Sequence, residues 1–402
     1  MTTQPQLSKR LIEQLTQRQE VDQWETLISQ LLKRLEIDES DLEEAKRAYG
    51  LLADRIAVKL QIARQDVHIF SQGSMRTQTT ISPQYPVKFD LDIVAELSGH
   101  KYSAPNPEVM FASFGEALKG NESVTGRPTP KRRCWRLDYP NKRFYFDVTP
   151  AVKNQIFGGA QLSVRDPETG WSPSNPEQFA GWFCEWAAKR FPFRTSLIEN
   201  SLQRRSSVAP IPEGEVGLDD VLRRVVQLMK LHRDTEYRGT SEDKKAIQPI
   251  SVIIVTLATK AYAHLWSYRR HELTSPIEVA LAVVEEMPNH FDSNGPRWIV
   301  ANPMHKLENF ADRWNSDHGA RANEFKRWHK KLESDLEALL HQSARTPREE
   351  KIRAVFGPAG VEAWKKSNPT AGVLEALSSL GDALAKYTPP GPLPSGGRNT
   401  LG

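Results

Sequence analysis

The residues best suited to chemistry in this chain are three aspartates, Asp90, Asp92 and Asp147. The first two alternate with the apolar residues of segment 89–93, a period of two that predicts a strand with both carboxylates on one face. Asp147 alternates in the same way within segment 144–148, so it can join them if the two strands are adjacent. Carboxylates placed side by side repel one another unless a cation lies between them. A hard divalent ion, Mg²⁺ or Mn²⁺, prefers such oxygen ligands, and three carboxylates can hold two ions roughly 3.5–4 Å apart for in-line phosphoryl transfer.

A small turn precedes this pair of aspartates. Gln72, Gly73 and Ser74 directly follow a predicted strand that begins at Val67. A glycine lets backbone N–H groups approach a phosphate closely, and the serine hydroxyl adds a donor. Gly-Ser alone also fits an ordinary strand-to-helix turn, and a single Asp-x-Asp occurs by chance on surface strands. The combination of Gly-Ser, Asp-x-Asp and a third strand aspartate is far more specific.

The elements that must position these groups follow an α+β pattern. Apolar residues recur at helical spacing through about the first 65 residues, the period changes to two from Val67, and it is helical again after a break at 206–217. Two segments rich in loop formers, Asn121–Pro130 and Phe157–Pro176, are predicted to be loops. Four parts result: N-terminal helices packing on the catalytic core (1–66), a catalytic lobe with a mixed sheet (67–205), a helical lobe (206–387) and a disordered tail (388–402).

The composition is that of a soluble globular protein. Of 402 residues, 39% are hydrophobic and 26% charged, and the chain is long enough for two cores. The apolar run Ile250–Ala258 is much shorter than the roughly 20 residues of a membrane span. We expect a cytoplasmic protein without a membrane partner. Cys134 and Cys184 are too few for a disulfide framework or a zinc ribbon.

The charge balance is uninformative overall but uneven along the chain. A net charge of +4, from 54 basic and 50 acidic residues, is too small to indicate a nucleic-acid-binding protein. The segment Arg127–Arg143, however, holds seven basic residues and only Asp138 as an acid. It is either a solvated loop or a surface for phosphates or nucleic acid.

Three motifs carry a resemblance to a known superfamily: FSQGSMRTQTTI, FDLDIVAEL and FYFDVTPAV. They resemble the polymerase-β-like nucleotidyltransferases and, more closely, the bacterial relatives of cyclic GMP–AMP synthase and oligoadenylate synthase, which make cyclic oligonucleotides in anti-phage signalling. Helical segments such as LRRVVQLMKLHRD and NPMHKLENFADRW extend the resemblance over Val67–Trp314. It implies a nucleotidyltransferase lobe with a mixed sheet, a helical lobe, and an active site in the cleft between them.

The resemblance also implies roles for individual residues. Asp90, Asp92 and Asp147 would hold two Mg²⁺ or Mn²⁺ ions, and the turn at 72–74 would hold the donor phosphates. Lys230 and Ser251 would contact the triphosphate. Lys230 directly follows an apolar helix stripe, so its ammonium group can reach inward; a solvated lysine at the helix flank is the alternative. Ser251 is nearly as well explained as a residue that caps a helix. Asn302 and Asn309 are expected to position the helical lobe.

The function that follows is synthesis of a cyclic di- or trinucleotide messenger from nucleoside triphosphates, ATP among them, with release of pyrophosphate. One alternative is nucleotide transfer to an RNA end or a protein hydroxyl; another is a binding module with a vestigial site. The resemblance further implies a downstream effector reached through the messenger. It also suggests ubiquitin-like transfer proteins acting on Gly402, although plain disorder explains the Pro/Gly-rich tail equally well.

Overall fold

A mixed sheet of seven strands forms where the sequence period changes to two. In the computed structural model of the chain, the described residues are 7–18, 20–82, 88–120, 126–153, 161–193, 216–217, 220–294, 297–345 and 347–367. The strands of this sheet are β1 (Val67–Ser71), β2 (Phe89–Leu97), β3 (Arg127–Pro130), β4 (Trp135–Asp138), β5 (Phe144–Lys153), β6 (Leu162–Asp166) and β7 (Gly170–Ser174).

The sheet has the order β1-β2-β5-β4-β3, and β6 and β7 continue it from β5. The central pair β2 and β5 is parallel, whereas the other pairs are antiparallel. Parallel strands need a long crossover, and the segment between β2 and β5 contains a helix as well as β3 and β4. The two strands that carry the aspartates are therefore neighbours at the centre of the sheet.

Helices make up most of the remaining described chain. They are α1 (Leu7–Arg18), α2 (Val21–Arg34), α3 (Glu39–Leu60), α4 (Gly73–Thr77), α5 (Pro107–Leu118), α6 (Pro176–Ala187), α7 (Val221–Glu236), α8 (Glu242–Ala246), α9 (Ser251–Arg269), α10 (Pro276–Glu286), α11 (Asp312–Ser316), α12 (Ala320–Leu340) and α13 (Glu349–Ser367, kinked at Gly357). Among the described residues, none of these helices has the length and apolar character needed to span a bilayer.

Two large apolar cores organise these elements. One lies between a face of the sheet and the helices α3 and α5, and the other lies among the helices of the C-terminal half. All of residues 1–66 were expected on the catalytic core; α3 does pack there, but α1 and α2 contribute Leu11, Leu15 and Trp24 to the helical core. The four domain boundaries themselves stay a prediction.

Two predicted loops contain strands instead. β3 lies within Asn121–Pro130, and β6 and β7 lie within Phe157–Pro176. The prolines of β3 and β7 hid these strands from the sequence pattern. Both strands are edges of the sheet, where a residue without an N–H group removes no ladder hydrogen bond.

Short strands also interrupt the C-terminal half, which the sequence pattern predicts as a helical lobe. They are β8 (Asp292–Asn294), β9 (Arg297–Ile299), β10 (Ala301–Asn302) and β11 (His305–Asn309), paired as two hairpins. Strands of two to five residues are too short to give a recognisable period. The predicted tail 388–402 and most of the predicted break at 206–217 lie outside the described residues.

Candidate active site

The parallel pairing of β2 and β5 places the three aspartates on one face of the sheet. Asp92 is in register with Asp147, and Asp90 is in register with Tyr145. The alternate residues Phe89, Leu91 and Ile93 are buried in the core on the opposite face. Burying this apolar set fixes the register, because a slip of one residue would place it in solvent. The predicted shared face is therefore present.

The turn after β1 lies directly against Asp92. The backbone N–H of Gln72 donates to the Asp92 carbonyl oxygen at 2.9 Å. Gly73 then takes φ +58°, and a Cβ atom there would lie 2.4 Å from Asp92 Oδ2. Only glycine satisfies both conditions, since it is permitted at positive φ and leaves room for the carboxylate. The short helix α4 begins at this residue.

The surroundings of Asp92 raise the pKa of its carboxyl group. Burial, followed by the nearby Asp90 and Asp147, raises the pKa of Asp92 to about 7, and Lys230 and Arg136 oppose the shift. Desolvation and like charges both disfavour an ionised carboxyl group. The surroundings of Asp92 therefore disfavour its ionised form.

Arg136 on β4 is a site residue that sequence reasoning did not identify. Its Nε donates to Asp147 Oδ1 at 2.8 Å and its second guanidinium nitrogen to Oδ2 at 2.7 Å. The guanidinium also lies 3.8 Å from the centre of the Tyr145 ring. The register β4–β5, which opposes Arg136 to Asp147, produces this pair, and β4 had not been predicted as a strand.

A cavity of about 320 Å³ opens beside this face, between the sheet and the helical half. Seven of the eight predicted site residues line it: Gln72, Gly73, Ser74, Asp90, Asp92, Lys230 and Ser251. Asp147 is the exception. It neighbours Asp92 but is held by Arg136, and the ligand oxygens of the three aspartates do not all lie within 4.8 Å of one another.

Lys230 enters the cavity from α7. Its side chain is buried, and Nζ donates to the Thr79 carbonyl oxygen at 2.9 Å. Burial, followed by the nearby Arg233, lowers the pKa of Lys230 to about 8, while Asp90 and Asp92 act in the opposite direction. The solvated alternative for this lysine is thus wrong, and the inward-reaching one is correct.

Ser251 is the first residue of α9, and Ile250 precedes it at the capping position. Its hydroxyl oxygen accepts a hydrogen bond from Arg233 at 2.8 Å, and the same guanidinium donates to the Pro249 carbonyl oxygen at 3.2 Å. Arg233 also lines the cavity. It was not predicted, although it follows Lys230 by one helical turn and so shares its face.

The lining of the cavity also includes aromatic rings and a polar cluster. Phe179 of α6 and Phe310 lie edge to face with centroids 5.5 Å apart. Asn302, expected only to position the helical lobe, is fully buried and donates to Glu308 at 2.7 Å. Glu308 also accepts from the Asn175 backbone N–H at 3.1 Å, and burial raises its pKa. Asn302 thus both lines the cavity and fastens the β10–β11 hairpin to the start of α6.

The basic segment Arg127–Arg143 is largely neutralised by the protein's own acids. Five of its seven basic residues pair with carboxylates: Arg132 and Arg133 with Asp166, Arg136 with Asp147, Lys142 with Glu44, and Arg143 with Asp38 and Asp41. This pairing disfavours a surface dedicated to RNA.

Comparisons with known proteins agree with this arrangement. Residues 23–186 match the family model of the Second Messenger Oligonucleotide or Dinucleotide Synthetase domain. A c-di-GMP synthase from Roseivirga ehrenbergii is 25% identical over 298 residues, covering 73% of each chain.

Two solved structures have the same fold. The CD-NTase CdnG of Bradyrhizobium diazoefficiens, in complex with GTP, superposes with a TM-score of 0.60 at 19% identity, covering 85% of this chain and 97% of that one. The GTP-bound form of Vibrio cholerae DncV gives a TM-score of 0.51 at 14% identity, covering 89% and 86%. The predicted resemblance and the predicted fold class are confirmed. Residues 23–186 thus match the domain model of second-messenger oligonucleotide or dinucleotide synthetases, and the chain shares its two-lobed fold with CdnG and DncV.

Proposed function

We propose that this protein is a nucleotidyltransferase that joins nucleoside triphosphates into a cyclic di- or trinucleotide and releases pyrophosphate. The observation that carries the proposal is the placement of three aspartates on one face of β2 and β5, with Gly73 closely packed on Asp92 and a cavity alongside. The matched synthetase domain and the c-di-GMP synthase relative support the same activity.

The donor set at the sheet fits a hard divalent cation. It consists of carboxylate oxygens, the ligands that Mg²⁺ and Mn²⁺ prefer. Burial, followed by the neighbouring Asp90 and Asp147, raises the pKa of Asp92, and a bound cation would favour its ionised form. Asp90, Asp92 and Asp147 would hold two ions, with Asp147 exchanging its hydrogen bonds to Arg136 for a metal bond. When bound, such ions activate the attacking hydroxyl and neutralise charge on the triphosphate and the leaving pyrophosphate.

The protein's own groups would bind and orient the triphosphate. Gly73 has no side chain to separate the backbone from a ligand, so the N–H groups of the turn could reach phosphate oxygens. The Ser74 hydroxyl is a further donor. Lys230 has a pKa of about 8, so it is mainly protonated at neutral pH and supplies a buried positive charge. Ser251 and Arg233, which are hydrogen-bonded to each other, add a hydroxyl and a guanidinium group to the cavity lining.

The aromatic wall offers a place for a nucleobase. Phe179 and Phe310 line the same cavity as the aspartates, and every base has a face that stacks on an aromatic ring. We assign the bases to this wall and the phosphates to the turn and Lys230. Stacking alone tolerates all four bases, so it does not identify them.

Incubation with labelled ATP, GTP, CTP and UTP and Mg²⁺, followed by phosphatase, tests the activity. With the label on the α-phosphate, a cyclic product has no terminal phosphate and keeps its mobility after phosphatase treatment, whereas a linear product loses its 5′-terminal phosphates and changes its mobility. A phosphatase-resistant product that forms without an acceptor supports the proposal. Products that are all phosphatase-labile, or label that appears only on added RNA or protein, would contradict it.

The proposal also includes partners in a signalling pathway. We infer that the messenger acts on an effector in anti-phage defence, and expression with the neighbouring genes during phage challenge tests this. Attachment of Gly402 by ubiquitin-like transfer proteins stays a hypothesis, because the tail lies outside the described residues. Unchanged conjugate formation after deletion of Gly402 would contradict it.

A further inference from the structure

Three metal-ligand side chains meet in the helical half, outside the lining of the active-site cavity. His264 lies near the end of α9, Glu286 is the last residue of α10, and His290 ends the 3₁₀ helix Met287–His290. One ligand atom from each residue lies within 4.8 Å of the other two. The i, i+4 spacing of Glu286 and His290 places both on one side of the chain turn, facing His264.

The distances within this cluster suit a shared cation better than hydrogen bonds. His264 Nδ1 lies 3.3 Å and His290 Nε2 lies 3.5 Å from the same oxygen, Glu286 Oε1. Charge-assisted hydrogen bonds between nitrogen and carboxylate measure about 2.7–2.9 Å. Tetrahedral zinc with bonds of roughly 2.0–2.2 Å places its ligand atoms about 3.3–3.6 Å apart. Both observed distances fall in that interval.

We propose that His264, Glu286 and His290 form a binding site for a borderline transition-metal ion, with Zn²⁺ as the best-suited ion and water as the fourth ligand. Two imidazoles and one carboxylate form a donor set typical of zinc, and they are poor ligands for Mg²⁺. The His264 side chain is 42% exposed, so an ion can enter from solvent. Asn289 Nδ2 donates to Glu286 Oε2 at 3.5 Å and helps to orient the carboxylate.

The site would join two elements of the helical half. His264 belongs to α9, whereas Glu286 and His290 belong to the continuous segment of α10 and the 3₁₀ helix. Bridging them would stabilise the helical half without contacting the nucleotide. The site is therefore structural, and it is independent of the proposed catalytic activity.

Zinc titration of the metal-stripped full-length protein tests the proposal. Titration calorimetry with Zn²⁺ is performed in an Asp90→Asn/Asp92→Asn background, so that the proposed catalytic site does not contribute. One equivalent of Zn²⁺ is expected to bind. His264→Gln and Glu286→Gln should each weaken this binding at least tenfold, and Zn²⁺ should raise the Tm of the background protein but of neither variant.

The chain supplies a matched control. His341 pairs with Glu337 at 3.6 Å, and its side chain is also 42% exposed. His341→Gln therefore removes an equally exposed histidine beside a glutamate and should leave Zn²⁺ binding unchanged. Failure to bind Zn²⁺, equal binding by the His264 and Glu286 variants, or an equal loss in His341→Gln would each overturn the proposal. Equal Tm values of all variants in EDTA would show that they fold.

Discussion

Replacing Gly73 by alanine should impair catalysis through a defined displacement of Asp92. The new Cβ would lie 2.4 Å from Asp92 Oδ2, whereas carbon and oxygen atoms in contact are normally at least about 3.3 Å apart. The carboxylate or the turn must therefore move by roughly 0.9 Å. A displacement of about 1 Å in a catalytic group can reduce the rate about 100-fold, and this is the decrease in kcat/KM that we expect.

The same substitution also has a conformational cost. An alanine at φ +58° destabilises the folded state by about 1–2 kcal/mol, which should lower the Tm by a few degrees. Loss of activity should therefore greatly exceed loss of folded protein. Steady-state kinetics of pyrophosphate release, with Tm measured on the same samples, separate the two effects.

Gly50→Ala is the matched control for this experiment. Gly50 lies within α3, and a Cβ atom there would meet nothing within 4 Å. The control should keep wild-type kinetics and gain about 0.5–1 kcal/mol of stability, because alanine is the better helix former. If Gly73→Ala retained kcat/KM within a factor of two of wild type, the argument from close packing on Asp92 would be refuted.

Three further predictions follow from charged groups. Lys230→Met should raise the KM for nucleoside triphosphate about 10–100-fold, since a buried charge-assisted contact contributes about 1.5–3 kcal/mol; an unchanged KM would remove Lys230 from the phosphate site. Burial and neighbouring glutamates raise the pKa of Glu333 from 4.5 to about 7. Between these pH values the folded state keeps a proton on Glu333 that the unfolded state has released, so the folded state loses stability as pH rises through that interval. Glu333→Gln should therefore be neutral near pH 4.5 and stabilise by about 1 kcal/mol at pH 8 after allowance for solvent screening; equal effects of the substitution on urea denaturation at the two pH values would contradict this. Asp166→Asn should lower the free energy of unfolding by about 2 kcal/mol in urea denaturation while the KM stays unchanged, because the buried carboxylate accepts hydrogen bonds from Arg133 and from the Glu168 backbone; a wild-type denaturation curve would contradict it.

The placement of the three aspartates on one face of the sheet could be predicted because the period-two pattern of a strand is a strong signal in a sequence. Asp90, Asp92 and Asp147 each lie between large apolar residues, so their side chains had to face away from the core, whatever the order of the strands. Gly73 was recognisable from its motif. The 2.4 Å approach to Asp92 that requires glycine depends on how β1 pairs with β2, which one sequence does not specify.

The parts that sequence reasoning missed depend on long-range pairing. Arg136 belongs to a strand of four residues in the basic segment Arg127–Arg143, and only the β4–β5 register reveals its partner Asp147. Asn302 and Glu308 reach the cavity through a hairpin too short to have a period. Such contacts arise from tertiary context, which overrides local propensity.

Two aspartates of the shared face give the most direct test of the account. Asp90→Ala combined with Asp92→Ala removes the two β2 carboxylates that line the cavity, and the buried apolar face of β2 is left intact. The quantity to measure is the rate of phosphatase-resistant product formation with Mg²⁺, alongside circular dichroism and Tm. We expect a folded protein with no detectable turnover. A folded double variant that makes the product at the wild-type rate would contradict it.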